Sequence, residues 1–149
     1  MMKVHNHAPV FLTHAVLPNM IKKNRGIIIN TSSVNTWLPT RNGIYSSTKS
    51  FLTMFSRSLH HDLLKSNIRI QALCPGFFDS EIHDKKMKQQ IPKILFKSAR
   101  YVAKSSLKGV ENNKPVVIPG FIYKIAKWLF TNTFLRKPII RFILKQQPY

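Results

Sequence analysis

The chain has 149 residues, 44% of them apolar, which suits one domain with one sizeable core. Twenty-four Lys and Arg face five Asp and Glu for a formal charge of +19, and from Lys85 to Tyr149 fifteen bases face one acid, Glu111, a field that favours anionic partners: a phospholipid surface, a phosphorylated cofactor or nucleic acid. A single cysteine, Cys74, excludes an internal disulfide framework, and no apolar run reaches the roughly 18 to 20 residues of a membrane span.

The opening MMKVHNHAPV lacks the apolar core of a secretion signal, so a reducing, cytoplasmic location is the expectation. From residue 4 to about 23, frequent apolar side chains predict a helix that Pro18 ends or kinks. Gly26 opens GIIIN, a β-branched run that fits a buried, parallel strand. TSSVNTWLPTRNG is rich in turn formers and reads as a loop. Between residues 44 and 66, Phe51, Leu52, Phe55, Leu59, Leu63 and Leu64 recur at gaps of three and four, predicting a long amphipathic helix. Ile68 to Leu73 alternate as a strand and meet a sharp break at CPG. A helix around Ala99 to Leu107 and a short strand, PVVIP at 115 to 119, follow. The remainder reads as one or two basic amphipathic helices, broken near Thr131 to Thr133 and at Pro138. The alternation of helix and strand implies a parallel sheet with crossover helices. In such sheets ligands sit beyond the carboxyl ends of the strands, here Thr31 to Ser33 and Cys74 to Ser80.

Two Tyr–Lys pairs share a spacing of four: Tyr45 with Lys49, in IYSSTKSF, and Tyr123 with Lys127, in YKIAK. That spacing puts both side chains on one helix face. A lysine ammonium beside a phenol stabilises the phenolate and lowers its pKa from about 10, which suits a general acid or base on an alcohol or carbonyl. Such a pair needs a hydroxyl to hold the reacting oxygen, and Ser32 and Ser33 end the strand before Tyr45. No Ser or Thr stands twelve or thirteen residues before Tyr123, where Val110 and Glu111 are found. Tyr123 and Lys127 therefore read as a solvated or lipid-facing helix surface.

GIIINTSSV, a turn, YSSTKSF, an amphipathic helix and IRIQALCPGFFDSEI, in that order across residues 26 to 81, resemble the short-chain dehydrogenase/reductase family. The resemblance extends weakly upstream, where VHNHAPVFLTHAVLPNM looks like the family's fourth helix, and downstream, where KPVVIPGFIYKIAKWLF looks like its lipid and hydroxysteroid branch, which includes 3-ketoacyl-CoA reductases. It implies a partial, doubly wound Rossmann-like α/β fold and an NAD(P)-dependent interconversion of a ketone and an alcohol on an apolar substrate. Tyr45 would handle the substrate proton, and Lys49 would lower the pKa of Tyr45 and bind the nicotinamide ribose. A serine would hold the carbonyl: Ser33 counting from Gly26, Ser32 counting back from Tyr45, with Ser33 favoured because loops absorb deletions more easily than strands. Pro75 and Gly76 match the break after the next strand, and Ser80 stands where a threonine commonly contacts the nicotinamide; Ser80 also reads as a plain helix N-cap. Phe77, Phe78, Ile82 and Met87 either line a substrate pocket or pack the core. The family often dimerises through its fourth helix and the helix bearing the Tyr–Lys pair. No metal site is expected.

Two departures stand out. His5 aligns with an asparagine that supports a proton-relay water in the family, and a one-residue shift would put Asn6 there instead. The glycine-rich turn that meets a cofactor pyrophosphate has no match, since Gly26, Gly43, Gly76, Gly109 and Gly120 are far apart. The chain thus reads as a C-terminal catalytic part (1–120) with a basic helical extension (121–149). The extension carries six Lys or Arg and no acid, interleaved with Trp128, Phe130, Phe134 and Phe142, which suits a membrane-surface helix. The second reading is therefore an inactive remnant that binds a membrane surface. Nucleic acid is not expected, because no nucleic-acid-binding fold accompanies the charge.

Overall fold

The computed structural model describes residues 1–37, 43–79 and 92–132. Three parallel strands lie in the order β1 (Gly26–Thr31), β2 (Ile68–Leu73), β3 (Val116–Val117). Helix α1 (Ala8–Lys23), extended backwards by a π turn at Lys3–His7, precedes β1. Helix α2 (Gly43–Asp62) crosses from β1 to β2, α3 (Ala99–Glu111) from β2 to β3, and α4 (Phe121–Thr131) follows. The predicted α/β alternation and parallel pairing are observed.

Strand β2 is central, and its neighbours explain its burial. Ile68 and Ile70 are 2% and 1% exposed, and each is worth about 1.5–3 kcal/mol on leaving water. Helix α2 packs on one face, where Thr53 reaches Cys74 and the His60 ring meets the Ile70 carbonyl. Helix α3 packs on the other, through Val102 against Leu73 and Val117. The alternation in IRIQAL suggests a wet face, yet Gln71 is fully buried. Its amide donates to the Ser106 carbonyl at 3.2 Å and accepts from the Ser106 hydroxyl at 2.6 Å, so α3 supplies what water would have supplied.

Several expectations are corrected. Strand β1 is not buried: Ile27 is 57% exposed, because β1 pairs only with β2 among the described residues and lies at the end of the sheet. Pro18 does not end α1, which continues to Lys23. The carbonyl that Pro18 leaves without a donor belongs to His14, on the same exposed face, where water can serve it. The helix ends instead at Asn24 in left-handed conformation (φ 44°), with Asn24 N–H on the Ile21 carbonyl and Arg25 N–H on the Met20 carbonyl. Helix α2 stops at Asp62, since Leu64 N–H already bonds back only three residues, to His61. Helix α3 runs four residues further than predicted, to Glu111, and starts at a Ser98 hydroxyl that accepts from Tyr101 N–H. Strand β3 shrinks to two residues between Pro115 and Pro119. The breaks predicted at 131–133 and Pro138 fall at or beyond the end of the described residues.

Candidate active site

The first turns of α2 begin the site. Tyr45 and Lys49 lie on one face, with the ammonium 5.8 Å from the phenol ring centroid. Lys49 Nζ donates to the Thr31 carbonyl at 2.8 Å, tying α2 to the carboxyl end of β1. Burial lowers the Lys49 pKa, and negative charge on Cys74 would raise it. Burial also raises the Cys74 pKa, which keeps that group a neutral thiol and leaves desolvation in control of the lysine.

The two serines after β1 do different work. Ser32, 3% exposed, donates to the Lys49 carbonyl at 2.7 Å and accepts from the Thr53 hydroxyl at 2.7 Å. Thr36 closes the cluster, 3.3 Å from Ser32 Oγ and 3.1 Å from Thr53 Oγ1. The Ser32 hydroxyl is thus consumed in holding α2 against β1. Ser33 has an extended backbone and starts a short 3-10 turn, Val34–Thr36, where its hydroxyl accepts from Asn35 N–H at 3.2 Å. That bond uses an acceptor lone pair of Ser33 and leaves its O–H proton for another partner.

The π turn at Lys3–His7 sets how His5 and Asn6 face the rest of the chain. It inserts one residue into the helix, so positions counted by a regular period shift by one. Asn6 consequently turns inward, 6% exposed, and its Oδ1 has no partner among the described residues. His5 stands beside it: Nδ1 lies 3.1 Å from Thr48 Oγ1, and the ring meets Tyr45 edge-on at 5.7 Å. Desolvation, then Lys49, then the N-terminal ammonium lower the His5 pKa from 6.5. Sequence reasoning placed His5 first and held Asn6 as the neighbour one residue on; the burial of Asn6 came only with the structure.

The loop after β2 forms the other wall. Pro75 is buried, and its carbonyl accepts from Val34 N–H at 3.1 Å, joining the two loops. Gly76 packs against the Tyr123 ring so closely that a Cβ there would lie 2.0 Å from Tyr123 Cζ. Tyr123 is 6% exposed, so the expected solvated surface is wrong for this residue. Phe78 packs against the core of Leu73, Val102 and Val117, whereas Phe77 is partly exposed against Phe96. Ser80, Ile82 and Met87 lie outside the described residues.

A cleft of about 600 Å³ runs between α1 and β1, lined by His5, Leu12, Val16, Ile28, Thr31 and Lys49 among others. Lys49, fixed on a strand-end carbonyl, lines this cleft and suits the ribose of a nicotinamide cofactor, and Tyr45 stands one helical turn before it. No glycine-rich turn is present to hold a pyrophosphate.

A parallel sheet with crossover helices and a Tyr–Lys pair at its carboxyl end is a Rossmann-like arrangement. Solved structures agree on the fold. A 7beta-hydroxysteroid dehydrogenase structure superposes with a TM-score of 0.80 at 14% identity, covering 95% of this chain and 56% of that one. A short-chain dehydrogenase from Sphingobium yanoikuyae, solved with NADPH, gives 0.73 at 22% identity, covering 100% and 56%. In sequence, residues 1–91 match the family model of the short chain dehydrogenases, and the chain belongs to that family. A very-long-chain 3-oxoacyl-CoA reductase of Rattus norvegicus is 34% identical over 100 residues, 66% of this chain. An NADP-dependent 3-hydroxy acid dehydrogenase of Escherichia coli (strain K12) is 36% identical over 77 residues, 51% of this chain. The matched region covers 31% of the length of either relative.

Proposed function

We propose that this chain is the catalytic part of an NAD(P)-dependent oxidoreductase that interconverts a ketone and an alcohol on an apolar, acyl- or steroid-like substrate. The observation that carries the reading is the Lys49–Thr31 bond, which holds the Tyr45 helix at the carboxyl end of β1. When bound, the nicotinamide supplies or accepts the hydride. Tyr45 gives its phenolic proton to the carbonyl oxygen during reduction and recovers one from the alcohol during oxidation. Lys49 holds the ribose, its ammonium standing 5.8 Å from the centroid of the Tyr45 ring. Ser33 donates to the substrate oxygen, while Ser32 keeps its structural bonds. Asn6 would anchor the water that returns protons to the site, its unpartnered oxygen accepting from that water. Pro75 and Gly76 would bound the nicotinamide from the β2 side, and Ser80 is proposed as a further cofactor contact from its place in the sequence alone. The names of the relatives support an acyl substrate and NADP.

The test is direct binding of NADPH and NADH to the purified chain by calorimetry. Saturation at sub-millimolar cofactor is the expected result; no binding at millimolar cofactor rejects catalysis by this chain alone. Apolar exposure on α1 and α2 supports a homodimer within the same reading: Phe11 is 71% exposed and Met54 57%. Light scattering should then give a mass of twice 17.3 kDa, and a monomer mass rejects the dimer.

A second reading rests on the outer face of α4, where Phe121 is 73% exposed and Trp128 59%, beside Lys124. No helix among the described residues is long and apolar enough to cross a membrane. A peripheral contact with anionic lipid would use those rings and lysines together. Co-sedimentation with phosphatidylserine vesicles, lost in Phe121→Ser with Trp128→Ser, is the expected behaviour; equal sedimentation of parent and variant rejects it.

A further inference from the structure

The second Tyr–Lys pair, Tyr123 with Lys127, has the spacing of Tyr45 with Lys49 but lies on α4. Its two members reach different loops. The Tyr123 hydroxyl accepts from Phe77 N–H at 2.9 Å and donates to the Leu95 carbonyl at 2.7 Å. Its ring closes over Gly76, where even a methyl group would collide. One phenol therefore joins the loop after β2 to the segment entering α3, which also meets it through a bridge between Phe78 and Lys97. One turn later, Lys127 Nζ lies 4.8 Å from the centroid of the Trp37 ring. Trp37 ends the turn that starts at Ser33, and its N–H bonds to the Val34 carbonyl. Tyr123 and Trp37 both pack in the cluster of Val34, Ala72, Cys74 and Ile118.

We propose that α4 is a clamp that positions both loops of the site: Tyr123 fixes the β2 loop at Gly76 and Phe77, and Lys127 fixes the β1 loop through Trp37. The two are positioning residues, since neither is placed on substrate or cofactor. Their common spacing follows from the helix: residues four apart share a face, and that face looks onto both loop ends at once. The Tyr123 hydroxyl is suited to the task because it is a donor and an acceptor together, and burial raises its pKa, so it stays a phenol. The cation over the indole is the corresponding hold on the other loop. The role assigned to these loops rests on the oxidoreductase reading above; the clamp itself does not.

The test uses the whole chain with three variants, read by amide exchange and by NMR of the Trp37 indole. Tyr123→Phe removes only the hydroxyl, and exchange at the Phe77 amide should accelerate about tenfold, the worth of one such bond. Exchange at Ile70, in the middle of β2, should stay as in the parent. Lys127→Met keeps the aliphatic stem and should shift the Trp37 indole resonance. Phe121→Ser, on the outer face of α4, should change neither. Unchanged Phe77 exchange and Trp37 resonance in the first two variants overturn the clamp. So does equal acceleration at Ile70 and Phe77, which would mean general loosening. NADPH affinity gives the functional arm: it should fall about tenfold in Tyr123→Phe and stay constant in Phe121→Ser. If the parent binds no NADPH, the oxidoreductase reading of this chain falls, and the exchange data alone decide the clamp.

Discussion

Lys49 Nζ bonds the Thr31 carbonyl at 2.8 Å, so the residue that flanks Tyr45 also pins its helix to the end of β1. This bond spans eighteen residues of sequence and sets where the phenol stands. Replacing Tyr45 by Phe should leave the circular dichroism spectrum intact and cut ketone reduction by about 10²–10⁴-fold, the usual worth of a general acid. Equal turnover by the Phe variant, in whichever assembly shows activity, would remove Tyr45 from the mechanism.

Lys49→Met should weaken NADPH binding more than it weakens folding. The partly exposed bond to Thr31 contributes about 1 kcal/mol at most to stability, whereas loss of the cation removes a contact proposed for the ribose. Urea unfolding and calorimetric titration, run on the same variant, separate the two effects.

The serines should part company. Ser32→Ala removes one hydrogen bond to the Lys49 carbonyl and one from the Thr53 hydroxyl and should cost about 1–3 kcal/mol of stability. Ser33→Ala loses one cap to Asn35 N–H, about 1 kcal/mol or less, yet should lower turnover as strongly as loss of a substrate-holding donor does, about 10²–10³-fold. The reverse pattern would make Ser32 the catalytic serine.

Acid should destabilise the fold through His5. Its folded pKa lies below 6.5, so between that value and 6.5 the unfolded chain binds more protons than the folded one. Stability therefore rises with pH through this window, is flat above it, and is lost as pH falls. The midpoint of urea unfolding should drop between pH 7 and pH 5, with a smaller drop in His5→Gln. An identical slope in the two proteins would refute the assignment.

Gly76→Ala should be among the most damaging single changes, because its Cβ would enter the Tyr123 ring. A thermal shift should show a loss of about 1–3 kcal/mol or more. Adding Tyr123→Leu should recover part of it by making room, a coupling that a double-mutant cycle reads directly.

Much of this molecule was legible in its sequence, for local reasons. The periods of three and four in α2, the β-branched run of β1 and the CPG break are short-range patterns, and they determined the order of elements, the parallel sheet and the Tyr45–Lys49 pair. What needed the tertiary structure were properties set by distant neighbours. Gln71 is a polar residue in a strand, and its burial depends on α3, which brings Ser106 over it. Ile27 looked buried, but burial depends on what covers a strand, and β1 stands at the end of the sheet. Asn6 is buried while His5 meets Thr48 and Tyr45, a difference between neighbours that the letters alone did not show. Tyr123 is the sharpest case: by sequence it was a basic surface helix, and only the folded chain set its ring on Gly76 and its hydroxyl between Phe77 and Leu95. Periodicity in a sequence reports which side chains share a face; it does not report what that face will meet, and that choice belongs to contacts between residues far apart in the chain.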